Sequence, residues 1–343
     1  MNGCNKPVKI QKSKLNTNIN SALCLTGAFL ITLAGLLAQT GCNGSKSSGQ
    51  KEFVTVGTAT SGGVYAQVGN TIANTIEANK GDMNWSVTAQ GSKGTQENIR
   101  KLTAGEIEFG MSNAAIAYYA LRGEGAWKEK HEIRSVATLA PNICAFVTIE
   151  GSGIKTIADL KGKRVVLGPP GAGFEAFLAP LLKAHGVSYE DLTVKNGGFI
   201  QAAEMLKDGG ADAAFMGGVP PNGLVQGLCQ DKDIVFIKLD ADIADQLSEF
   251  PFYAPATVKA GTYEDLTEDL ATVNVGNMQL ITHADVDEEV VYQFTKLLYE
   301  NREAIAEGHP AGKAINPKNV AKDVGIPFHP GAIRYFKEAG FIE

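Results

Sequence analysis

Two short runs in this 343-residue chain place glycines beside hydroxyl or aromatic residues directly ahead of a helical pattern: Ser61-Gly62-Gly63-Val64-Tyr65 and Gly171-Ala172-Gly173-Phe174-Glu175. A helix that starts after such a turn leaves its first N–H groups without intrahelical partners, so each run is half of an anion site. In the first run the Ser61 hydroxyl and the amides of Gly62 to Tyr65 can donate, and the Tyr65 ring can form a wall. The same residues also read as a plain turn and helix cap. In the second run Gly171, Gly173 and Ala176 match the G-x-G-x-x-A form of a dinucleotide turn. The next strand, LTVK, ends in Lys195 and Asn196, where a dinucleotide site needs an acid for the ribose. The glycines are therefore read as a close-approach turn for a small solute. Glu175 falls in the first helical turn, where it suits the helix dipole or can hold a ligand amino group.

Further candidates stand at expected strand ends. Gln90-Gly91-Ser92 reads as a cleft edge or a strand-to-helix turn. Ser112-Asn113 brings an amide that both donates and accepts. Gly217-Gly218 permits close packing or close approach of a ligand. Phe252 and Tyr253 read as an aromatic cover over the cleft or as hinge packing, and Tyr118-Tyr119 as helix packing. No G-x-S-x-G and no H-E-x-x-H occurs, and His131, His185, His283, His309 and His329 are all expected in helices or linkers. No nucleophile and base, paired acids or metal set emerges, so neither an enzyme nor a cofactor is expected and no metal is assigned.

The elements that must position these residues repeat. FVTVG, from Phe53, and RVVLG, from Arg164, are apolar strands ahead of the two glycine runs. Gly57 to Gly168 spans 111 residues, while Gln90 to Asn196 and Phe109 to Phe215 each span 106. Alternating strands and helices of this size build parallel α/β sheets, which bind ligands at their C-terminal strand ends. The fold class expected is α/β: two similar α/β lobes facing across a cleft and joined by a two-strand hinge. Residues 133–150 read as a β-like run broken at Pro141, finishing one sheet and entering the other. FYAPATVKAGTY and the strand TVNVGNMQLIT read as the return. Lobe I is then 51–141 plus 256–343 and lobe II 142–255, with hinge segments at 135–150 and 256–282. DEEVVYQFTKLLYENREAIAE and GAIRYFKEAG have helical apolar spacing suited to packing on lobe I.

Residues 1–20 carry Lys6, Lys9, Lys12 and Lys14 with no acid, and residues 22–38 are apolar, the order of an export signal. Small residues lead to Cys42, and NGSKSSGQ reads as a tether, so residues 1–41 resemble a lipoprotein signal with Cys42 lipidated and the segment 42–50 flexible. Cleavage by an ordinary signal peptidase and an uncleaved anchor are the alternatives. Losing four lysines and no acids takes the net charge from −6 to −10. An acidic chain without a Lys/Arg cluster argues against nucleic acid. Cys144 and Cys229 remain in the mature part, either bridged or as two buried thiols.

Six ordered motifs together identify a resemblance: GTATSGGVYAQVG at 57–69, GS with ENIRKL at 91–102, GIKTIADLKGKRVVLGPPGAG at 153–173, DAAFMGGVPPNGLV at 212–225, FPFYAPATVKAGTY at 250–263 and HPGAIRYFKE at 329–338. The chain resembles the TAXI group of TRAP transporter solute receptors, extracytoplasmic proteins that feed a sodium-driven permease. The resemblance implies a periplasmic-binding-protein-like (type II) fold and a monomer that closes on a small organic acid or amino acid, with glutamate or 2-oxoglutarate-like dicarboxylates suggested. Relatives carry a G-S-G-T-E run where this chain has Ala172 and Phe174, so two side-chain donors to a carboxylate are replaced by apolar groups. No arginine falls in the candidate loops. An ABC permease or a sensor kinase is the alternative partner, and a hydrolase or transferase the alternative activity.

Overall fold

The computed structural model describes residues 51–320 and 325–343. The expected leader, Cys42 and the tether lie outside them. The first half runs β1 (Glu52–Gly57), α1 (Val64–Asn79), β2 (Trp85–Gln90), α2 (Thr95–Thr103), β3 (Phe109–Asn113), α3 (Ala114–Arg122) and β4 (Ile133–Thr138). The second runs β5 (Phe146–Ile149), β6 (Arg164–Val166), α4 (Glu175–Ala184), β7 (Thr193–Lys195), α5 (Phe199–Lys207), β8 (Ala213–Phe215), α6 (Gly223–Asp231), β9 (Ile234–Phe236) and the short α7 (Ile243–Gln246). The chain closes with β10 (Tyr253–Val258), β11 (Leu270–Val275), β12 (Met278–His283), α8 (Glu288–Glu300), α9 (Arg302–Gly308), the short α10 (Pro317–Val320) and α11 (Pro330–Glu338).

These strands form two five-stranded sheets of identical plan, β2-β1-β3-β12-β4 and β7-β6-β8-β5-β9. In each, three strands are parallel, and the fourth position is held by an antiparallel strand that has just crossed from the other half: β12 in the first sheet and β5 in the second. This is the type II periplasmic-binding-protein arrangement. Burial follows from it, because parallel strands covered by helices on both faces must be apolar throughout. Every residue of β3 and β8 is buried. On α8, Val290, Val291, Phe294, Leu297 and Leu298 form one buried face, and Asp287 caps the helix by accepting from the amides of Glu289 and Val290.

The two crossings bond to each other. Cys144 donates its N–H to Val273 O at 2.8 Å, and Val275 donates to Asn142 O at 2.8 Å. β10 and β11 pair as an antiparallel hairpin whose Val258, Tyr263, Leu266 and Leu270 join the same apolar cluster as Val147, Val166 and Ala214 of the second half. The expected lobe boundary at 255/256 falls inside β10.

Three sequence expectations change. TVNVGNMQLIT is two strands, β11 and β12, because Gly276 turns at φ +104 and a Cβ there would sit 2.9 Å from the Ala115 amide nitrogen and 2.9 Å from Asn113 Oδ1. The long helix expected from Asp287 breaks at Asn301, whose side-chain amide turns back to donate to Leu297 O at 2.8 Å. His283 is the last residue of β12 and not part of a linker. Cys144 and Cys229 are buried free thiols.

One buried amide fixes the strand ends that carry the first glycine run. Asn98 on α2 donates to Thr58 O at 2.7 Å, Met111 O at 2.8 Å and Gly57 O at 3.2 Å. Replacing it by alanine leaves these buried carbonyls without that donor, at about 1–3 kcal/mol for each group left unsatisfied. Asn98→Ala is expected to lower stability by at least ~2 kcal/mol, read as an earlier urea midpoint with the same slope. An unchanged midpoint would show that the carbonyls find other donors.

Candidate functional site

Between the two sheets lies a cavity of 60 Å³ walled by both halves. From the first half come the turn at Ala59–Thr60, the start of α1 at Gly63–Tyr65, the start of α2 at Lys93–Thr95, and Asn113 at the end of β3. The second half supplies Pro169, Phe174, Phe177, Gly198, Phe199, Phe215, Gly217 and Gly218, and the crossing segment supplies Asn142. A water needs roughly 10–15 Å³ of such volume, so the space as closed takes about four to six water-sized groups.

The two walls differ in chemistry, and local structure explains why. In the first half, Gly63 N–H donates to Thr60 O, while Ala66 and Gln67 both donate to Gly63 O. The amides of Val64 and Tyr65 therefore have no carbonyl to meet at the start of α1. At the start of α2 the Gly94 amide donates to Ser92 Oγ and the Gln96 amide to Ala172 O, which leaves the Thr95 amide, while Thr95 Oγ1 accepts from the Asn113 backbone amide at 3.0 Å and keeps its proton to donate. The Tyr65 hydroxyl is buried with no hydrogen-bond partner. Burial pushes its pKa up, an effect the neighbouring Asn113 side chain partly offsets, so the phenol stays a donor. Asn142 is 6% exposed and lines the cavity, its backbone N–H donating to Asn274 Oδ1 and its carbonyl accepting from Val275. Lys93 is the one cationic side chain, and no Asp or Glu lines the cavity among the described residues.

The second half presents rings. Phe215 stands 5.7 Å, centroid to centroid, from both Phe174 and Phe177, and Phe199 lies 6.2 Å from Phe174. Two glycines make room for them. At Gly168, φ +109, an added Cβ would lie 2.4 Å from the Phe174 ring, and at Gly217 it would lie 2.3 Å from the Phe215 ring. The amide end of α5, at Gly198 and Phe199, also faces the cavity.

Of the residues expected at a site, Gly63, Val64, Tyr65, Asn113, Phe174, Gly217 and Gly218 line this cavity. Asn113 is committed elsewhere: its Nδ2 donates to Val275 O and Gly276 O, and its Oδ1 accepts from Ala115 and Ile116. It ties the return crossing to α3. Ser61 is exposed, and Gly62 faces Ile200 of α5 at the rim. Gln90 is exposed and holds Thr58 through its carbonyl, followed by exposed Gly91. Ser92 donates to Thr58 O and accepts from Gly94 N, and Ser112 turns onto Asn113 O. Tyr253 packs behind the wall, its hydroxyl donating to Phe177 O at 2.5 Å.

The second glycine run sits elsewhere. Ala172 O accepts from the Gln96 amide at 3.4 Å, and a Cβ on Gly173 would lie 3.1 Å from Gln96 Cγ and 3.2 Å from Ile116 Cδ1. Gly171, Ala172 and Gly173 thus meet α2 and α3 of the opposite half. Glu175 is exposed and lines a separate groove with Gln96, Tyr119 and Trp127. The internal repeat is broken here: α1, α2 and α5 aim their starts at the cavity, while α4 closes the two halves on each other. Sequence reasoning missed Thr60, Lys93, Thr95, Asn142, Phe177, Phe199 and Phe215. Gly168 and Gly217, which make room for the rings, were the available signal for them, whereas Asn142 had none.

Residues 56–340 match the family model described as the NMT1-like family. Among solved structures the chain is similar to XAC2383 from Xanthomonas citri bound to ATP, at 12% identity and TM-score 0.50, over 84% of this chain and 97% of that one. It is also similar to the periplasmic aliphatic sulphonate binding protein SsuA from Escherichia coli, at 17% identity and TM-score 0.49, over 84% of each chain. At these identities the likeness concerns the fold alone.

Proposed function

This chain belongs to the NMT1-like family, and from that premise we propose that it is an extracytoplasmic receptor, not an enzyme, that closes two lobes on one small solute and delivers it to a membrane permease. The observation that carries this reading is the cavity between the sheets, where the Tyr65 hydroxyl is buried without a hydrogen-bond partner and the amide side chain of Asn142 lines the wall. Buried polar groups without partners are costly to a fold, and a solute supplies the partners. The moving bodies are the first sheet with α1–α3 and α8–α11, and the second sheet with α4–α7 and the β10–β11 hairpin. The hinges are residues 139–145 and Gly276-Asn277. Contacts from both lobes favour the closed state once solute is present, a population shift.

The six sequence motifs favour a sodium-driven permease of the TRAP type, with the protein as its TAXI receptor. Solute binding stabilises the folded form by RT ln(1 + [L]/Kd), about 2.7 kcal/mol at a hundredfold excess over Kd. A panel of small organic acids and amino acids is therefore expected to contain members that raise the melting temperature in a concentration-dependent way. A panel with no such member overturns the receptor reading.

A further inference from the structure

We infer that the solute is a short monoanionic organic acid with an apolar tail and no amino group, a refinement that rests on the receptor reading above. The division of the cavity carries it. One wall is made of donors: the amides at the start of α1, the Thr95 amide and hydroxyl, the buried Tyr65 hydroxyl and the Asn142 side-chain amide, with Lys93 at the rim. Helix starts alone would not make a site; the second observation is that the Tyr65 hydroxyl is buried without a hydrogen-bond partner and that Asn142, 6% exposed, lines the same cavity. Donors without a facing carboxylate fit one anionic headgroup.

The opposite wall is four phenylalanine rings. A second carboxylate on the solute would rest against Phe174, Phe177, Phe199 and Phe215, where the backbone amides at the start of α5 are the donors and no cation stands, and burying a charge without an opposite charge is unfavourable. An ammonium group fares no better. No Asp or Glu lines the cavity among the described residues, and Glu175 lies in the separate groove. The dicarboxylate and amino-acid classes suggested by sequence resemblance thus each leave one of their charges without an oppositely charged side chain. The volume keeps the solute short, since the cavity takes about four to six water-sized groups.

Four probes of nearly equal size separate these terms: 3-methylbutanoate, L-valine, which adds an ammonium, butanedioate, which adds a second carboxylate, and 3-methylbutan-1-ol, which removes the charge. Calorimetric titration is expected to give 3-methylbutanoate a Kd at least tenfold below each of the others. Butanedioate or L-valine binding as tightly as 3-methylbutanoate leaves the receptor standing and overturns the solute class. If no solute binds at all, in this set or in the wider thermal-shift panel, both readings fall together. Tyr65→Phe supplies an independent arm. It is expected to weaken 3-methylbutanoate about tenfold while the solute-free melting temperature holds or rises, because the hydroxyl has no partner in the empty protein. Unchanged affinity in that variant overturns the placement of the headgroup on the Tyr65 wall.

Discussion

Gly173→Val is expected to yield a folded protein that no longer closes, with solute affinity lowered by about a hundredfold. The added side chain meets the opposite lobe, since even its Cβ would lie 3.1 Å from Gln96 Cγ and 3.2 Å from two carbons of Ile116. In the open form these neighbours move away, and what remains is the strain of a branched residue at φ +89, about 1–2 kcal/mol for left-handed backbone. In the closed form the clash adds to it. A closed state disfavoured by a further ~2.8 kcal/mol costs about a hundredfold in apparent affinity, because binding is reduced by the fraction of molecules that are competent. Small-angle scattering distinguishes this from loss of a direct contact: wild-type protein should compact on adding solute, and the variant should not at the same solute concentration. Compaction with wild-type affinity would remove the 171–173 loop from closure.

That expectation inverts the role the glycine run suggested in sequence. The repeat was legible because strand, turn and helix recur at offsets of 106 to 111 residues, and two sheets of one plan are what the structure contains. The first run also led to the cavity, through Gly63, Val64 and Tyr65. For the second run, nothing in the local pattern distinguishes a turn that faces a solute from one that faces the other lobe, since both need close backbone approach. The distinction is tertiary and resides in Gln96 and Ile116, on helices about 55 to 80 residues earlier in the chain.

The missing parts of the site were hidden for related reasons. Phe177 reads as one more apolar position of α4, and Phe199 and Phe215 as ordinary residues at a helix start and a strand end. Only the glycines beside them, Gly168 and Gly217, reveal that the rings converge. Asn142 sits in a crossing segment with no motif, its amide nitrogen held by Asn274 Oδ1 at 3.0 Å from the returning crossing. Conversely, Ser92 and Ser112 are types that bind anions well, yet both hydroxyls are consumed by neighbouring backbone. A hydroxyl at a strand end serves the turn first, and the sequence does not show which carbonyl takes it.

Gly217→Ala tests the aromatic wall and is expected to damage both stability and binding, unlike the change at Gly173. The new methyl carbon would lie 2.3 Å from Phe215 Cζ and 2.8 Å from Ile143 O. Ile143 cannot easily yield, because it and Gly218 exchange two backbone hydrogen bonds, of 2.7 and 3.0 Å, that hold the first crossing to the end of β8. Phe215 is held too, against Phe146 at 5.4 Å and against Phe174 and Phe177 at 5.7 Å. Overpacking of a tight interior costs typically about 1–3 kcal/mol, and a chain of this size loses roughly 2–4 °C of melting temperature per kcal/mol. A fall of several degrees is therefore expected, with solute affinity lowered more than thirtyfold as the ring leaves its place. Phe215→Leu separates the two effects. It removes part of the wall without touching the crossing, so it should weaken an apolar-tailed solute while changing the tail-independent part of recognition little. If Gly217→Ala kept wild-type affinity and melting temperature, the rings would not be fixed by these glycines, and the apolar wall would lose its structural basis.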